Sequence, residues 1–383
     1  MSFIATKQTT SPYHKYEPQL QVVGNVIYYV YRESSQVWTA KSNLDGTGWT
    51  ATQRTEIEYG AYYPQMHIVN NKIYFVWKED SSKDQIWTAL MNLDGTGWTA
   101  TKQIGTLYST FYPQLYVSGD KIYYVWQEDD AYNKAQVWTA KSNLDGTGWT
   151  ATQRTEGSYN SYDPQLQVVS DKIYYIFVCN AEIHTAIMNL DGTGWTATQR
   201  TSNSYQKYNP QLQVIGTKIY YVWREYDGSR YQIWTALMNL DGTGWTATKQ
   251  TTSPYHKYEP RLQVVGNVIY YVWREYDGSR YQIWTATSSL DGSSFTPVKQ
   301  TTSAYNKIVP QQQVTSNAIY YVWQEYDGSK YQIWTAVLAL ALSKLKYWTG
   351  TEWKTGTLKE WSGTSWVEKH GKQWDGIEWK QFV

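Results

Sequence analysis

Two tyrosines three residues apart, with a proline two residues further on, form the pattern in this chain best suited to chemistry. Tyr13/Tyr16, Tyr59/Tyr62, Tyr159/Tyr162, Tyr205/Tyr208 and Tyr255/Tyr258 keep both rings, Tyr108/Phe111 keeps an aromatic pair, and Tyr305/Ile308 loses the second ring. A second pattern, Glu225-Tyr-Asp-Gly-Ser-Arg-Tyr231, returns at Glu275–Tyr281 and, with Lys330 in place of arginine, at Glu325–Tyr331. Flat rings cover the apolar faces of a sugar while planar polar groups take its hydroxyls, and small ligand sites combine these two features. The candidate ligand-binding residues are therefore Tyr205, Tyr208, Arg224, Glu225, Tyr226, Tyr231, Tyr255, Tyr258, Arg274, Glu275, Tyr276, Tyr281, Glu325, Tyr326 and Tyr331. The competing reading makes the tyrosines half-buried caps whose hydroxyls bond neighbouring backbone. The corresponding loops at Arg32–Gln36 and Val178–Glu182 are shorter, which argues against sites there.

Catalytic and metal patterns are missing from the sequence. His14 and His256 are equivalent copies, while His67, His184 and His370 are solitary, and there is no His/Cys metal spacing, no Gly-x-Ser-x-Gly and no phosphate loop. A catalytic centre needs different residues converging from different units. Arg32, Arg224 and Arg274 are instead copies of one repeat position. Copies suit several equivalent weak sites, which together give avidity for a dense surface. The expectation is a protein that is not an enzyme, with no catalytic residues, no metal and no cofactor.

The elements that must carry these loops follow from repetition. Seven prolines, at 18, 64, 113, 164, 210, 260 and 310, are separated by 46, 49, 51, 46, 50 and 50 residues. Repeats at this period point to a solenoid, an array or a propeller. One unit reads as four short strands: Gln211–Ile215 alternating, Ile219–Trp223 rich in β-branched and aromatic residues, Tyr231–Ala236, and Trp245–Gln250. Tight turns separate them, one built on Asp227-Gly and one on Asp241-Gly. The first six units end in a segment like Gly-Trp-Thr-Ala-Thr-Lys-Gln; the seventh lacks it, and the chain opens with Phe3-Ile-Ala-Thr-Lys-Gln. Residues 5–30 match residues 247–272 except for Gln19 against Arg261. An open array has no reason to begin with the last piece of a unit. A ring does, because the opening strand then completes the final unit and hides its edge. The fold expected is all-β: a seven-bladed β-propeller of four-stranded antiparallel blades, closed by the N-terminal strand, with a small C-terminal β-hairpin module. In such blades alternate loops share a face, which brings the tyrosine pairs and the charged loops together.

The turns at Asp45, Asp94, Asp145, Asp191, Asp241 and Asp291 loosely resemble the Asp-box of sialidase-like propellers, where the box is structural; here too an Asx-type turn with an interblade aromatic is expected. In overall plan residues 1–336 resemble bacterial seven-bladed propeller lectins and, more loosely, tachylectin-type propellers. That resemblance implies sugars seated between adjacent blades on the tyrosine-rich face. From residue 346 the period drops to 13: Trp348-Thr-Gly-Thr-Glu-Trp353, Trp361-Ser-Gly-Thr-Ser-Trp366 and Trp374-Asp-Gly-Ile-Glu-Trp379. These look like the tandem Trp-x-Gly-x-x-Trp units at the ends of phage virion proteins, and each reads as a tiny hairpin too small to fold well alone.

Bulk properties bound the rest. The 383 residues are 41% hydrophobic, ample for a large core, and the formal net charge of +1 offers no global attraction to nucleic acid. Cys179 is the single cysteine, which excludes an intrachain disulfide and suggests an inert thiol. No signal peptide is visible, and no apolar run is long enough to span a bilayer. The domain expectation is a propeller over 1–336, a connector over 337–345 and a tryptophan-hairpin module over 346–383 that anchors or oligomerises. The function expected is multivalent, non-catalytic binding of cell-surface glycans, in a virion or extracellular setting after a cytoplasmic stage, with a virion partner or a second copy engaged through 346–383. The alternatives are a structural virion decoration protein that binds another protein, and a sialidase-like glycosidase.

Overall fold

The computed structural model describes residues 4–80, 84–105 and 108–340, together with six short strands between 345 and 381. Seven four-stranded antiparallel sheets account for residues up to Ala339. Blade five shows the plan: Lys207–Ile215, Lys218–Tyr226, Tyr231–Asn239 and Thr246–Lys249, in that order from the axis outward. In its second strand Ile219 to Trp223 are all buried, because both faces of that strand are covered by neighbouring blades. The short fourth strands need no apolar face, and Thr50–Gln53 and Thr196–Gln199 are exposed throughout.

Ring closure follows the expected route. Ile4–Lys7 pairs antiparallel with Tyr331–Ala339, placing Ala5 opposite Ala336 and Lys7 opposite Trp334. Thr9 extends the seam: its hydroxyl donates to Gln332 Oε1 at 2.8 Å and accepts the Ile333 N–H at 3.0 Å. Lys7 adds an ion pair to Asp327 at 2.6 Å.

The blades are stitched at the axis by one repeated bond. The side chain of Gln21 accepts the backbone N–H of Ile68 on the next inner strand, and Gln167, Gln213, Gln263 and Gln313 do the same to Val214, Val264, Val314 and Val22. Blade two replaces the glutamine with His67, whose Nδ1 accepts from Val117 at 2.8 Å. At the outer turns, Asp45 Oδ1 accepts both the N–H and the hydroxyl of Thr47, and Asp94, Asp145, Asp191 and Asp241 repeat this with their own threonines. The tryptophan after each turn packs into the interblade core, as Trp98 does against Phe75 and Trp77. Cys179 is half-buried at the end of the second strand of blade four.

In the C-terminal region Leu345–Trp348 pairs with Trp353–Gly356, Lys359–Trp361 with Trp366–Glu368, and Lys372–Trp374 with Trp379–Gln381. Each ladder sets two tryptophans opposite one another: 348 and 353, 361 and 366, 374 and 379. The intervening turns, and residues 341–344 of the connector, lie outside the described residues.

Candidate carbohydrate-binding face

Register puts the two loop types on one face. Lys207 stands opposite Glu225, Tyr208 opposite Arg224, and Tyr226 opposite Tyr231, so the start of the first strand, the end of the second and the start of the third meet at one end of the blade. In blades one, five, six and seven the tyrosine loops are held from below by buried lysines, where blades two to four carry Ala61, Thr110 and Ser161. Lys257, 0% exposed, donates to the Tyr255 carbonyl at 2.6 Å and to the Ser253 hydroxyl at 2.5 Å. Lys15, Lys207 and Lys307 bond the carbonyls of Tyr13, Tyr205 and Tyr305 in the same way. A buried ammonium must have acceptors, so the loop wraps round it and pushes its tyrosine outward.

Exposed phenols stand on this face in every blade, with or without the lysine. Tyr13, Tyr59, Tyr108, Tyr159, Tyr205, Tyr255 and Tyr305, one per blade, are 36–58% exposed. In blades five to seven each stands edge-on to the charged loop, with Tyr205 to Tyr226, Tyr255 to Tyr276 and Tyr305 to Tyr326 at 6.1–6.3 Å between ring centres. The Asp-Gly turn makes room for this contact. Gly278 has φ of +95°, and a Cβ there would lie 3.0 Å from the Tyr255 hydroxyl. Tyr226 leads on to Tyr231, and Tyr231 to His256 and Tyr258 of the next blade, while Tyr276 leads to Tyr281 and Tyr326 to Tyr331. Backbone amides of Tyr231 and Tyr331 donate to Nδ1 of His256 and His14, both at 3.2 Å. The Asp227, Asp277 and Asp327 carboxylates anchor these loops through Lys249, Lys299 and Lys7, each at 2.6 Å.

Of the candidate residues, Glu225, Glu275 and Glu325 are placed differently from the rest. They are only 1–3% exposed, and each accepts the indole N–H of the tryptophan two residues earlier (Trp223, Trp273 and Trp323) at 2.9–3.1 Å. Lys257 and Lys307 lie 3.6 and 3.5 Å from Glu275 and Glu325. Side chains alternate along a strand, so the glutamate after an outward-facing arginine points back into the blade. Tyr205 and Tyr255 are exposed; Tyr208, Tyr226, Tyr231, Tyr258, Tyr276, Tyr281, Tyr326 and Tyr331 are half-buried on the face, as are Arg224 and Arg274.

The arginines turn towards the axis. The Arg224 guanidinium lies over the rings of Tyr208, Tyr231 and Tyr258 at 4.5–4.7 Å, and Arg274 over Tyr258 and Tyr281 at 4.8–4.9 Å. Arg32 sits between Tyr16 and Tyr62 at 4.2 and 4.5 Å. Desolvated cation–π contacts of this kind are each worth about 2 kcal/mol.

Around them stands a set of residues that reading the repeats passed over: those immediately before each proline. Glu17, Tyr63, Tyr112, Asp163, Asn209, Glu259 and Val309 all have left-handed φ of 52–57° and sit where the pairing with the second strand slips. Such a bulge re-aims a side chain, at a cost of about 1–3 kcal/mol for a non-glycine residue. Here it carries acids onto the neighbouring blade: Glu17 accepts the Tyr63 N–H at 2.8 Å, Asp163 that of Asn209 at 2.8 Å, and Glu259 that of Val309 at 2.7 Å. Glu17 and Glu259 also pair with Arg32 and Arg274 at 3.5 and 3.0 Å. Burial pushes the Glu17 and Asp163 carboxyls above the ordinary carboxylate range, against the pull of the amides and arginines beside them. Burial, and then the Asp163 charge, raise the Tyr112 phenol, whose ring lies 4.5 Å from that of Tyr63. The signal for these positions was present as variation: seven blades, five residue types, always next to an unvarying proline.

Further along the axis the channel holds a polar cavity of about 300 Å³, lined by Gln21, Gln167, Gln213, Gln263 and Gln313 and by leucines such as Leu20. Among the described residues no group of three or more His, Cys, Asp or Glu is arranged to hold a metal ion.

These features define a seven-bladed β-propeller with one aromatic, cation-bearing face. No protein-family model matches the sequence, and neither does any curated protein. Solved structures do match. An endosialidase of phage phi92 is similar over 98% of this chain and 76% of its own, with a TM-score of 0.57 and 13% identity. An ulvan lyase of a new polysaccharide lyase family is similar over 84% and 91%, with a TM-score of 0.64 and 11% identity. A Trypanosoma rangeli sialidase solved with sialic acid gives 76% and 56%, 0.50 and 12%. At such identities the likeness establishes the fold alone.

It does correct one expectation. The inference that the chain is not an enzyme is overturned, because the solved structures that share this architecture include enzymes, among them polysaccharide lyases and a sialidase. The argument from identical copies also fails at the axis, where the residues before the prolines differ from blade to blade and converge. The propeller by itself does not establish a reaction.

Proposed function

We propose that the tyrosine-rich face binds carbohydrate at several blade-edge positions, and that the chain serves attachment to a glycan-coated cell surface as a virion or extracellular component. The observation that supports this is the ring of seven exposed tyrosines, one per blade, all on one face. An exposed phenol propped edge-on against a second ring, with aspartate, arginine and backbone polar groups beside it, suits a pyranose: one apolar face and a rim of hydroxyls. Repetition round a rigid ring turns weak single contacts into avidity. Blades five to seven, with the full Tyr-Asp-Gly-Ser loop, carry the principal positions; residues 346–383 then engage an assembly partner or a second copy.

A glycan array probed with the full chain and with Tyr226→Ala and Tyr276→Ala tests the reading. Binding to a defined set of glycans, falling at least tenfold in the double variant, is the expected result. No binding across a broad array, or binding untouched by both substitutions, overturns it. Mass spectrometry of the bound oligosaccharides after incubation shows whether the chain also cleaves them.

A further inference from the structure

Two near-identical stretches, residues 5–30 and 247–272, differ at one position, Gln19 against Arg261. Six blades carry glutamine directly after the inner-strand proline; blade six alone carries a cation there. Arg261 stands two residues after Glu259 on the inner strand, and its Nε has no hydrogen-bond partner among the described residues. Arg224 is in the same state. It is wedged between Tyr208 and Tyr258, its Nε and Nη1 are buried, and neither has a partner among the described residues. Both guanidiniums lie within charge–charge reach of the same two carboxylates, Asp163 and Glu259. Those acids are already engaged: Asp163 takes the Asn209 N–H, while Glu259 takes the Val309 N–H and pairs with Arg274.

Buried N–H groups of a charged side chain that lack acceptors are costly, and a carboxylate or sulfate supplies acceptors in the geometry a guanidinium prefers. Counting the axial cluster, the four arginines 32, 224, 261 and 274 interact with the three acids 17, 163 and 259, which leaves one cation unmatched. Tyr112, 40% exposed, offers a ring beside the opening. The position-by-position asymmetry marks this as one site, distinct from the repeated tyrosine positions round it.

We propose that the axial mouth is an anion subsite that seats the carboxylate or sulfate group of an acidic saccharide between Arg224 and Arg261. This rests on the carbohydrate reading above and specifies its ligand as an acidic glycan, the neutral residues running outward to the tyrosine ring.

The test uses Arg261→Gln, which restores the residue found at Gln19 in the near-identical repeat and so keeps the blade intact. Full-length wild type and variant are titrated calorimetrically with neutral, uronate-containing and sulfated oligosaccharides, and with sodium sulfate and acetate alone, at low and high salt. Wild type is expected to bind at least one acidic oligosaccharide ten times more tightly than its neutral analogue. In the variant that preference disappears, the salt dependence flattens and neutral binding is retained. Comparing the uronate and sulfate arms identifies the anion. Equal affinity for acidic and neutral ligands in wild type overturns the proposal, as does an acidic preference that survives in the variant, or binding of the free anions alone with no gain from the attached sugar. If neutral glycans bind but acidic ones are not preferred, only the anion subsite falls; if no saccharide binds, the carbohydrate reading falls with it.

Discussion

His67 allows a quantitative test of how the ring is held together. It occupies the axial position filled by glutamine in five blades, and its Nδ1 accepts the Val117 N–H, a bond that exists only while that nitrogen is unprotonated. Burial pushes the imidazole down from 6.5 to about 4. At roughly 1.4 kcal/mol per pH unit, that is about 3 kcal/mol favouring the neutral ring in the fold. The sign follows directly. Between pH 6.5 and about 4 the unfolded chain binds a proton that the folded chain refuses, so stability falls as pH falls through that window and is fully present above it. His67→Gln supplies a neutral acceptor of the kind used at Gln21 and Gln167 and removes the penalty. Denaturant unfolding of both proteins at pH 7.5 and 4.5 is the assay. Carboxylates titrate alike in the two, so the difference between them isolates the histidine. The variant should gain about 2–3 kcal/mol on wild type at pH 4.5 relative to pH 7.5. Parallel pH profiles would refute the argument that His67 acts as an obligatory acceptor.

Two further outcomes follow from the same structure, beside the tyrosine and Arg261 variants above. In blade three Thr110 replaces the buried lysine, and Glu128 accepts only the Trp126 indole among the bonds described; burial raises its carboxyl to about 7. The penalty therefore accrues as pH rises from 4.5 to 7, and Glu128→Gln should stabilise by about 3 kcal/mol at pH 8 while changing nothing at pH 4, read by thermal melts at both. Thr9→Ala removes a buried hydroxyl bonded to Gln332 and Ile333, which should cost about 1–3 kcal/mol. Thr251 makes the equivalent bonds inside an uninterrupted blade, so only the Thr9 variant should show concentration-dependent aggregation in light scattering, since only there does the loss free a sheet edge.

By itself the sequence determined the architecture. A period near 50 residues, four strand-like runs per unit and a displaced final segment at Ile4–Lys7 leave a closed ring as the arrangement that completes every unit, because an incomplete blade would leave the apolar third strand as an open edge for another chain to pair with. It also determined which loops share a face, since antiparallel strands return alternate loops to the same end. What it did not reveal was the direction of individual side chains or the identity of the axial site. Glu225 and its copies read as loop residues, yet strand alternation buries them under tryptophan; Glu17, Asp163 and Glu259 carry no signal of their own beside the proline, yet a left-handed bulge swings them towards the axis. The unmatched charge of Arg261 has meaning only there. Residues separated by whole repeats meet at the centre of a ring, and that convergence belongs to closure rather than to any local pattern. Local periodicity sets strands and turns; only the closed ring sets which unlike residues become neighbours.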